Sequence, residues 1–168
     1  GLLRSSDRTT VFVVGKTICN LLCFEDSQAE TVDVGAVREL EKIATSGDAD
    51  SERDCANAFF LICGEKKNRE MIIDVNAAKV IILLARSPNV ETRRHAVRVI
   101  ANLAQYSSTR ENLLENNVVM ALVALTEDTS QLRVDMLKLI AQSLSNLSMV
   151  DSYTGRMVQE GVVNALMR

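Results

Sequence analysis

The chain has 168 residues, 19 of them basic and 22 acidic for a formal charge of −3, and 47% of its residues are hydrophobic. That length buries enough apolar surface for a core without disulfides or metal, and the slightly acidic balance argues against wholesale nucleic-acid binding, which normally needs a strongly basic domain. One proline, seven glycines, no tryptophan and 4% aromatic residues supply too few turns and too few aromatic strands for a sandwich or barrel. The composition excludes an all-β fold and predicts helices throughout.

In chain order, Gly1 to Thr10 hold Arg4, Asp7 and Arg8 and no apolar core, so no signal peptide is visible. An apolar helix then carries Ile18-Cys19-Asn20-Leu21-Leu22. Ser27 and Glu30 have the spacing of a capping box and predict the start of a short helix. Gly35 opens a second helix from Ala36, and the polar loop Ser46-Gly47-Asp48 ends it. A longer helix runs through Leu61. The cycle then repeats: a helix start at Asn68, a second helix from Ala78 to Leu84, the loop Ser87-Pro88-Asn89, and a long helix from Arg94 to Tyr106 carrying Ala101-Asn102-Leu103-Ala104. It repeats again with a capping box at Ser108 and Glu111, a helix from Val119 to Leu125, the loop Glu127-Asp128-Thr129, and a long helix carrying Leu144-Ser145-Asn146-Leu147-Ser148. No apolar run approaches the roughly 18 residues of a membrane span.

The spacing is regular. Leu61 stands midway between Asn20 and Asn102, and the step from Asn102 to Asn146 is longer than the two before it by three positions. At one fixed interval beyond each of these four lies a small or turn-forming residue that opens an apolar run: Gly35, Asn76, Asn117 and Gly161. A cycle of three helices in about 41 residues is the period of an α-solenoid unit. The three extra positions before Asn146 are expected in a loop around Glu127 to Gln131, where a tolerated extension outweighs a partner contact.

With the Asn-Leu position at the end of each long helix, this pattern resembles the armadillo repeat. The resemblance covers the whole chain and implies an all-α, right-handed superhelix with three helices per repeat. In this register residues 6–25 are the third helix of a partial repeat; 26–66, 67–107 and 108–150 are whole repeats; and 151–168 open another, as in a window on a longer solenoid. The resemblance further implies a non-enzymatic protein-binding module or scaffold, because in this family stacked third helices line a concave groove that holds extended peptides.

On the helix from Arg94 to Tyr106, the residues Arg94, Arg98, Asn102 and Tyr106 fall on one face at intervals of four. The register transfers this stripe to Arg53, Asn57, Leu61 and Glu65 one repeat earlier, to Phe12, Lys16, Asn20 and Phe24 before that, and to Lys138, Gln142, Asn146 and Val150 in the last repeat. The stripe therefore has five basic residues and one acidic, Glu65, and predicts a positive groove on an acidic chain. An asparagine amide offers both a donor and an acceptor, so Asn20, Asn102 and Asn146 suit a peptide backbone, while the cations favour acidic segments. In importin-α a tryptophan precedes the asparagine by four residues and grips a basic nuclear signal. Lys16, Asn57, Arg98 and Gln142 stand there instead, which disfavours that ligand and suits the acidic peptides of β-catenin-like members. The alternatives are docking through the outer helices in a cytoskeletal or ciliary assembly and, less favoured, RNA binding, for which only Tyr106 and Phe24 on the stripe offer stacking rings.

Other motifs fail. Gly15-Lys16-Thr17 mimics the end of a phosphate-binding loop, but Thr10 stands where the first glycine is required. Asn146-Leu147-Ser148 matches a glycosylation sequon inside a helix. The cysteines, Cys19, Cys23, Cys55 and Cys63, form no C-x-x-C pair and share the chain with one histidine, His95, so no zinc set is expected. They read as core thiols in a reducing compartment, cytoplasmic with the nucleus not set aside. His95 has no nucleophile spaced to pair with it and is placed at the edge of the groove or beneath it. No catalytic constellation, cofactor or small-molecule substrate is indicated.

Overall fold

The computed structural model describes residues 7–33, 35–45, 48–74, 77–127 and 134–167. Among them are twelve α-helices, a 3₁₀ turn at Asp151–Tyr153 and no strand. In order they are α1 (Arg8–Leu22), α2 (Glu25–Asp33), α3 (Ala36–Ala44), α4 (Ala49–Ile62), α5 (Lys66–Asp74), α6 (Ala78–Leu84), α7 (Val90–Ala104), α8 (Ser107–Glu115), α9 (Val118–Leu125), α10 (Val134–Leu147), α11 (Thr154–Gln159) and α12 (Val162–Leu166). The long helices α1, α4, α7 and α10 pack side by side along the whole chain, and their mutual contacts are the most extensive in the molecule. The shorter helices pack behind them in pairs, so each unit is a short, a short and a long helix.

Three local devices set this geometry. At the start of the second helices the backbone turns through the left-handed region, at Gly35 (φ 91°), Asn117 (φ 61°) and Gly161 (φ 87°), where glycine has no side chain to clash and asparagine is the most tolerant alternative. These are three of the four residues picked out by the fixed interval; Asn76 lies outside the described residues, as do Ser46, Gly47 and most of the segment assigned the three extra positions. At the start of the long helices a side-chain oxygen accepts free backbone N–H groups. Asp7 takes those of Thr9 and Thr10, Asp48 that of Ser51 at 2.8 Å, and Asn89 those of Glu91 and Thr92 at 3.0 and 3.1 Å. These caps of α1, α4 and α7 stand at one register position, a repeat apart.

The third device closes the long helices at their C-terminal ends. The Gln28 amide donates to the Leu22 carbonyl (3.0 Å), Arg69 to those of Cys63 (3.0 Å) and Gly64 (2.5 Å), and Arg110 to those of Ala104 (2.8 Å) and Gln105 (3.0 Å). These residues also share one register position, and each satisfies carbonyls that the helix leaves without partners. A cation at that end also opposes the negative pole of the helix.

The predicted capping boxes are corrected. The helix holding Ser27 begins at Glu25 and the one holding Ser108 begins at Ser107, so both serines lie inside the first turn. The Ser27 hydroxyl donates to the carbonyls of Leu21 (2.5 Å) and Phe24 (3.0 Å), and Thr109, its register equivalent beside Ser108, donates to those of Leu103 and Tyr106. The preceding long helix ends so close by that its carbonyls claim these hydroxyls.

The core runs as one continuous layer between the long helices and the pairs behind them. Leu22, Leu40, Phe59, Ile81, Ile100 and Leu122 are among its fully buried side chains, each stabilising the fold by about 1.5–3 kcal/mol relative to exposure. Among the described glycines Gly15 has the closest neighbour: a Cβ there would lie 2.8 Å from Ile43 Cδ1. Gly15-Lys16-Thr17 is thus mid-helix, its glycine serving close packing of α1 on α3. Cys19, Cys55 and Cys63 are buried as expected, whereas Cys23 is exposed. It caps the end of α1, one position past the last turn that faces the core.

Candidate functional site

The stacked long helices turn one face of each to solvent, and that face carries the polar stripe. Lys16 and Asn20 on α1, and Lys138 and Gln142 on α10, are exposed; Arg53 and Asn57 on α4, Arg94, Arg98 and Asn102 on α7, and Asn146 on α10 are half-buried. None of the ten is buried. Their layout follows from the helical repeat: positions four apart share a face, and side-by-side packing of α1, α4, α7 and α10 joins the four faces into one surface.

Two of the five cations expected to make that surface positive are held by carboxylates. Arg53 pairs with Asp50 (2.8 Å) and Asp54 (3.2 Å), and Arg94 with Glu91 (3.5 Å) and Asp135 (3.4 Å). The hydrogen bond to Asp54, with further help from both aspartates, raises the Arg53 pKa above its ordinary value. These four carboxylates lie off the stripe by three positions or one, or on the neighbouring helix, so counting every fourth residue passes over them. Lys16, Arg98 and Lys138 have no carboxylate within ion-pair distance among the described residues. They are the stripe's uncompensated cations. Arg98 instead lies over the Phe60 ring, 5.6 Å from its centre, which holds the guanidinium against α4 without neutralising it.

The asparagines differ among themselves. Asn102 Nδ2 donates across to the preceding long helix, to Cys63 Sγ at 3.1 Å and the Cys63 carbonyl at 3.5 Å. That bond ties two repeats together and leaves the amide oxygen as the group Asn102 can offer a ligand. The residue in register with Cys63 on the next long helix is Ala104, so no thiol stands in the equivalent place for Asn146. The Cys63 thiol is pushed up to about 11 by burial, with the Asn102 hydrogen bond and Arg69 acting against the shift.

His95 is half-buried beside Phe60, the ring centres 6.3 Å apart. Burial, followed by the Arg98 charge, lowers its pKa below the usual value, and Glu91 opposes this. The neutral imidazole is therefore favoured, with Arg94 and Arg98 on the same helix. The sequon Asn146-Leu147-Ser148 lies at the end of α10 with Leu147 fully buried. No group of His, Cys, Asp and Glu side chains capable of holding a metal occurs among the described residues, and no described helix is long and apolar enough to cross a membrane.

An unbroken ladder of long helices, backed by pairs of short ones and presenting one polar face, defines an α-solenoid. Residues 65–105 match the family model of the Armadillo/beta-catenin-like repeat. The chain has the armadillo-repeat solenoid fold, a right-handed superhelix of three-helix units. A computationally designed armadillo repeat protein for modular peptide recognition superimposes with a TM-score of 0.84 at 18% identity, over 99% of this chain and 70% of that one. An engineered protein of 25% identity superimposes with a TM-score of 0.78, over 98% of this chain and 67% of that one. A third structure, a designed armadillo repeat protein in complex with the peptide (KR)4, gives 0.79 at 18% identity, over 98% and 70% of the two chains. No curated protein matches the sequence.

Proposed function

We propose that this chain is a non-enzymatic protein-interaction module that holds an extended, acidic peptide segment along the face formed by α1, α4, α7 and α10. The observation that carries this reading is the presence of Lys16, Arg98 and Lys138 on a solvent-facing stripe with no carboxylate to neutralise them among the described residues. An extended peptide leaves its backbone groups without partners, and the amides of Asn20, Gln142 and Asn146 beside the cations offer donors and acceptors to it. The designed relative takes an alternating Lys-Arg peptide. The cations here, with no tryptophan in the chain, oppose such a ligand and favour the reverse charge.

Exposed ion pairs contribute about 0.2–1 kcal/mol each, so three account for about 1–3 kcal/mol of affinity, expressed largely in association rate and salt dependence. The test is fluorescence anisotropy with acidic, basic and neutral peptides of one length against the native chain and a Lys16→Ala/Arg98→Ala/Lys138→Ala variant. Acidic peptides should bind preferentially, about ten- to a hundredfold more weakly to the variant, and progressively less as salt rises. Equal binding of the basic peptide, or capture insensitive to the triple change but abolished by substitutions on the first and second helices, overturns this in favour of docking through the outer faces.

A further inference from the structure

Where the groove reads its ligand follows from which cations are free and how the long helices are staggered. Neighbouring long helices do not meet at equivalent positions. Phe60 on α4 faces Arg98 and His95 on α7, and Arg94 on α7 reaches Asp135 on α10. Phe60 is the register equivalent of Ala101, and Arg94 that of Lys138. In both crossings the later helix therefore presents a residue at least three positions before the equivalent one. The same offset applied to Arg98, whose equivalent is Gln142, brings Lys138 and Leu139 abreast of it. On that stagger the two uncompensated cations of the C-terminal half of the groove fall at facing positions of adjacent helices.

The N-terminal half differs. Arg53 and Arg94 are bound to carboxylates of their own wall, and Lys16 stands alone on α1, two helices away from Arg98. A ligand meets paired free charge in only one place among the described residues. Packed helices lie about 8–10 Å apart, an extended chain advances about 3.3 Å per residue, and its side chains alternate between two faces. Residues on one face are then about 7 Å apart, a step that two long cationic side chains on adjacent helices span with little adjustment. Adjacent residues point to opposite faces, and residues four apart overreach the pair.

We propose that Arg98 and Lys138 form the specificity anchor of the groove and read two carboxylate side chains separated by a single residue, an acidic-x-acidic motif in an extended peptide. This rests on the reading of the groove as a peptide site and adds to it the position and spacing of what is recognised. Phe60 holds the Arg98 guanidinium in place from below. Asn102, its amide donor engaged by Cys63, presents its oxygen as an acceptor for a peptide N–H next to the anchor.

The test uses labelled peptides of one length and one net charge, each with two glutamates in an otherwise neutral sequence, placed adjacent, one residue apart or four apart. Binding to the native chain is followed by anisotropy at low salt. The peptide with one intervening residue should bind roughly three- to tenfold more tightly than the others, and Arg98→Ala or Lys138→Ala should erase that preference. Lys79→Ala, on the second helix α6 and off the groove face, should leave it intact. A charge swap guards against loss of folding: Lys138→Glu should lose the acidic peptide and regain binding when one glutamate becomes lysine, while keeping a native circular-dichroism spectrum. Equal affinity for all three spacings overturns the anchor and leaves the acidic-groove reading standing. Absence of binding by every acidic peptide overturns both.

Discussion

Replacing Arg69 by methionine keeps an unbranched apolar stem and removes the guanidinium with its charge and donors. Only 6% of Arg69 is exposed, its Nη1 donates to the carbonyls of Cys63 and Gly64 at 3.0 and 2.5 Å, and its guanidinium lies 3.6 Å from the centre of the Tyr106 ring. Hydrogen bonds to charged groups contribute about 1.5–3 kcal/mol net and a cation–π contact about 0.5–2 kcal/mol. The Gly64 carbonyl is at the surface and regains water after the substitution, which takes the sum towards its lower end. Arg69→Met should therefore destabilise the chain by about 3 kcal/mol. Urea unfolding followed by far-UV circular dichroism measures this, with unchanged slope as the sign that the same unit unfolds. A cycle with Tyr106→Leu should isolate a coupling of about 1 kcal/mol for the ring contact. The register supplies two comparisons. Arg110 makes two such bonds from a more exposed position, and Gln28 makes one neutral bond, so their substitutions should rank below Arg69 in that order. A loss at Arg69→Met smaller than about 0.5 kcal/mol, the low end for a single neutral hydrogen bond, or equal losses at all three sites, would refute the idea that helix-end closure holds the repeats.

Three further outcomes follow from local geometry. Gly15→Ala gains about 1 kcal/mol of helix propensity but drives a methyl into Ile43, 2.8 Å from its Cδ1, so the thermal midpoint should fall; Ile43→Val, which removes that atom, should recover part of the loss in the double variant. Ellman's reagent should modify one of the four thiols in the native chain, Cys23, and all four in denaturant, because the other three are buried and a buried thiol is neither reached nor ionised; fast reaction of two or more would contradict the packing. His95 has a pKa lowered chiefly by burial, so the unfolded chain binds its proton more readily than the folded one. The stability this contributes is present above the ordinary histidine value of about 6.5 and is lost as pH falls below it. Unfolding titrations should show a smaller loss from pH 7 to pH 5 in His95→Gln than in the parent.

What was legible in the sequence is what repeats and is set by backbone or periodicity. Gly35, Asn117 and Gly161 stand out because a left-handed turn admits few residue types, and the long helices stand out because an apolar face recurs with the helical period. The solvent-facing stripe followed from the same periodicity, and none of its ten basic and amide residues is buried. The electrostatics of the stripe were less legible. Arg94 is compensated by Asp135, on the next long helix with two short helices between, and only the packing of α7 on α10 brings them together. Arg53 is compensated by near neighbours in sequence, which a scan for pairs three or one apart on the same helix finds. The helix-end closure by Gln28, Arg69 and Arg110 obeys the repeat interval and was open to the same search, but its partners are backbone carbonyls, which leave no mark in a sequence. The capping boxes misled for the opposite reason: Ser27 and Glu30 have the right spacing, yet carbonyls at the end of α1 take the hydroxyl first.

Site-specific photo-crosslinking bears most directly on the claim that the long-helix face holds the partner. A photoreactive side chain is placed singly at Lys16, Asn57, Gln142 or Asn146 on that face, and at Arg38, Lys79 or Met120 on the second helices, and the chain is irradiated within its native assembly. Crosslinks to an acidic segment from the first set, strongest at Gln142 beside the Arg98–Lys138 pair, and none from the second set are the predicted result. Crosslinks confined to Arg38, Lys79 and Met120 would contradict it and place the partner on the outer face.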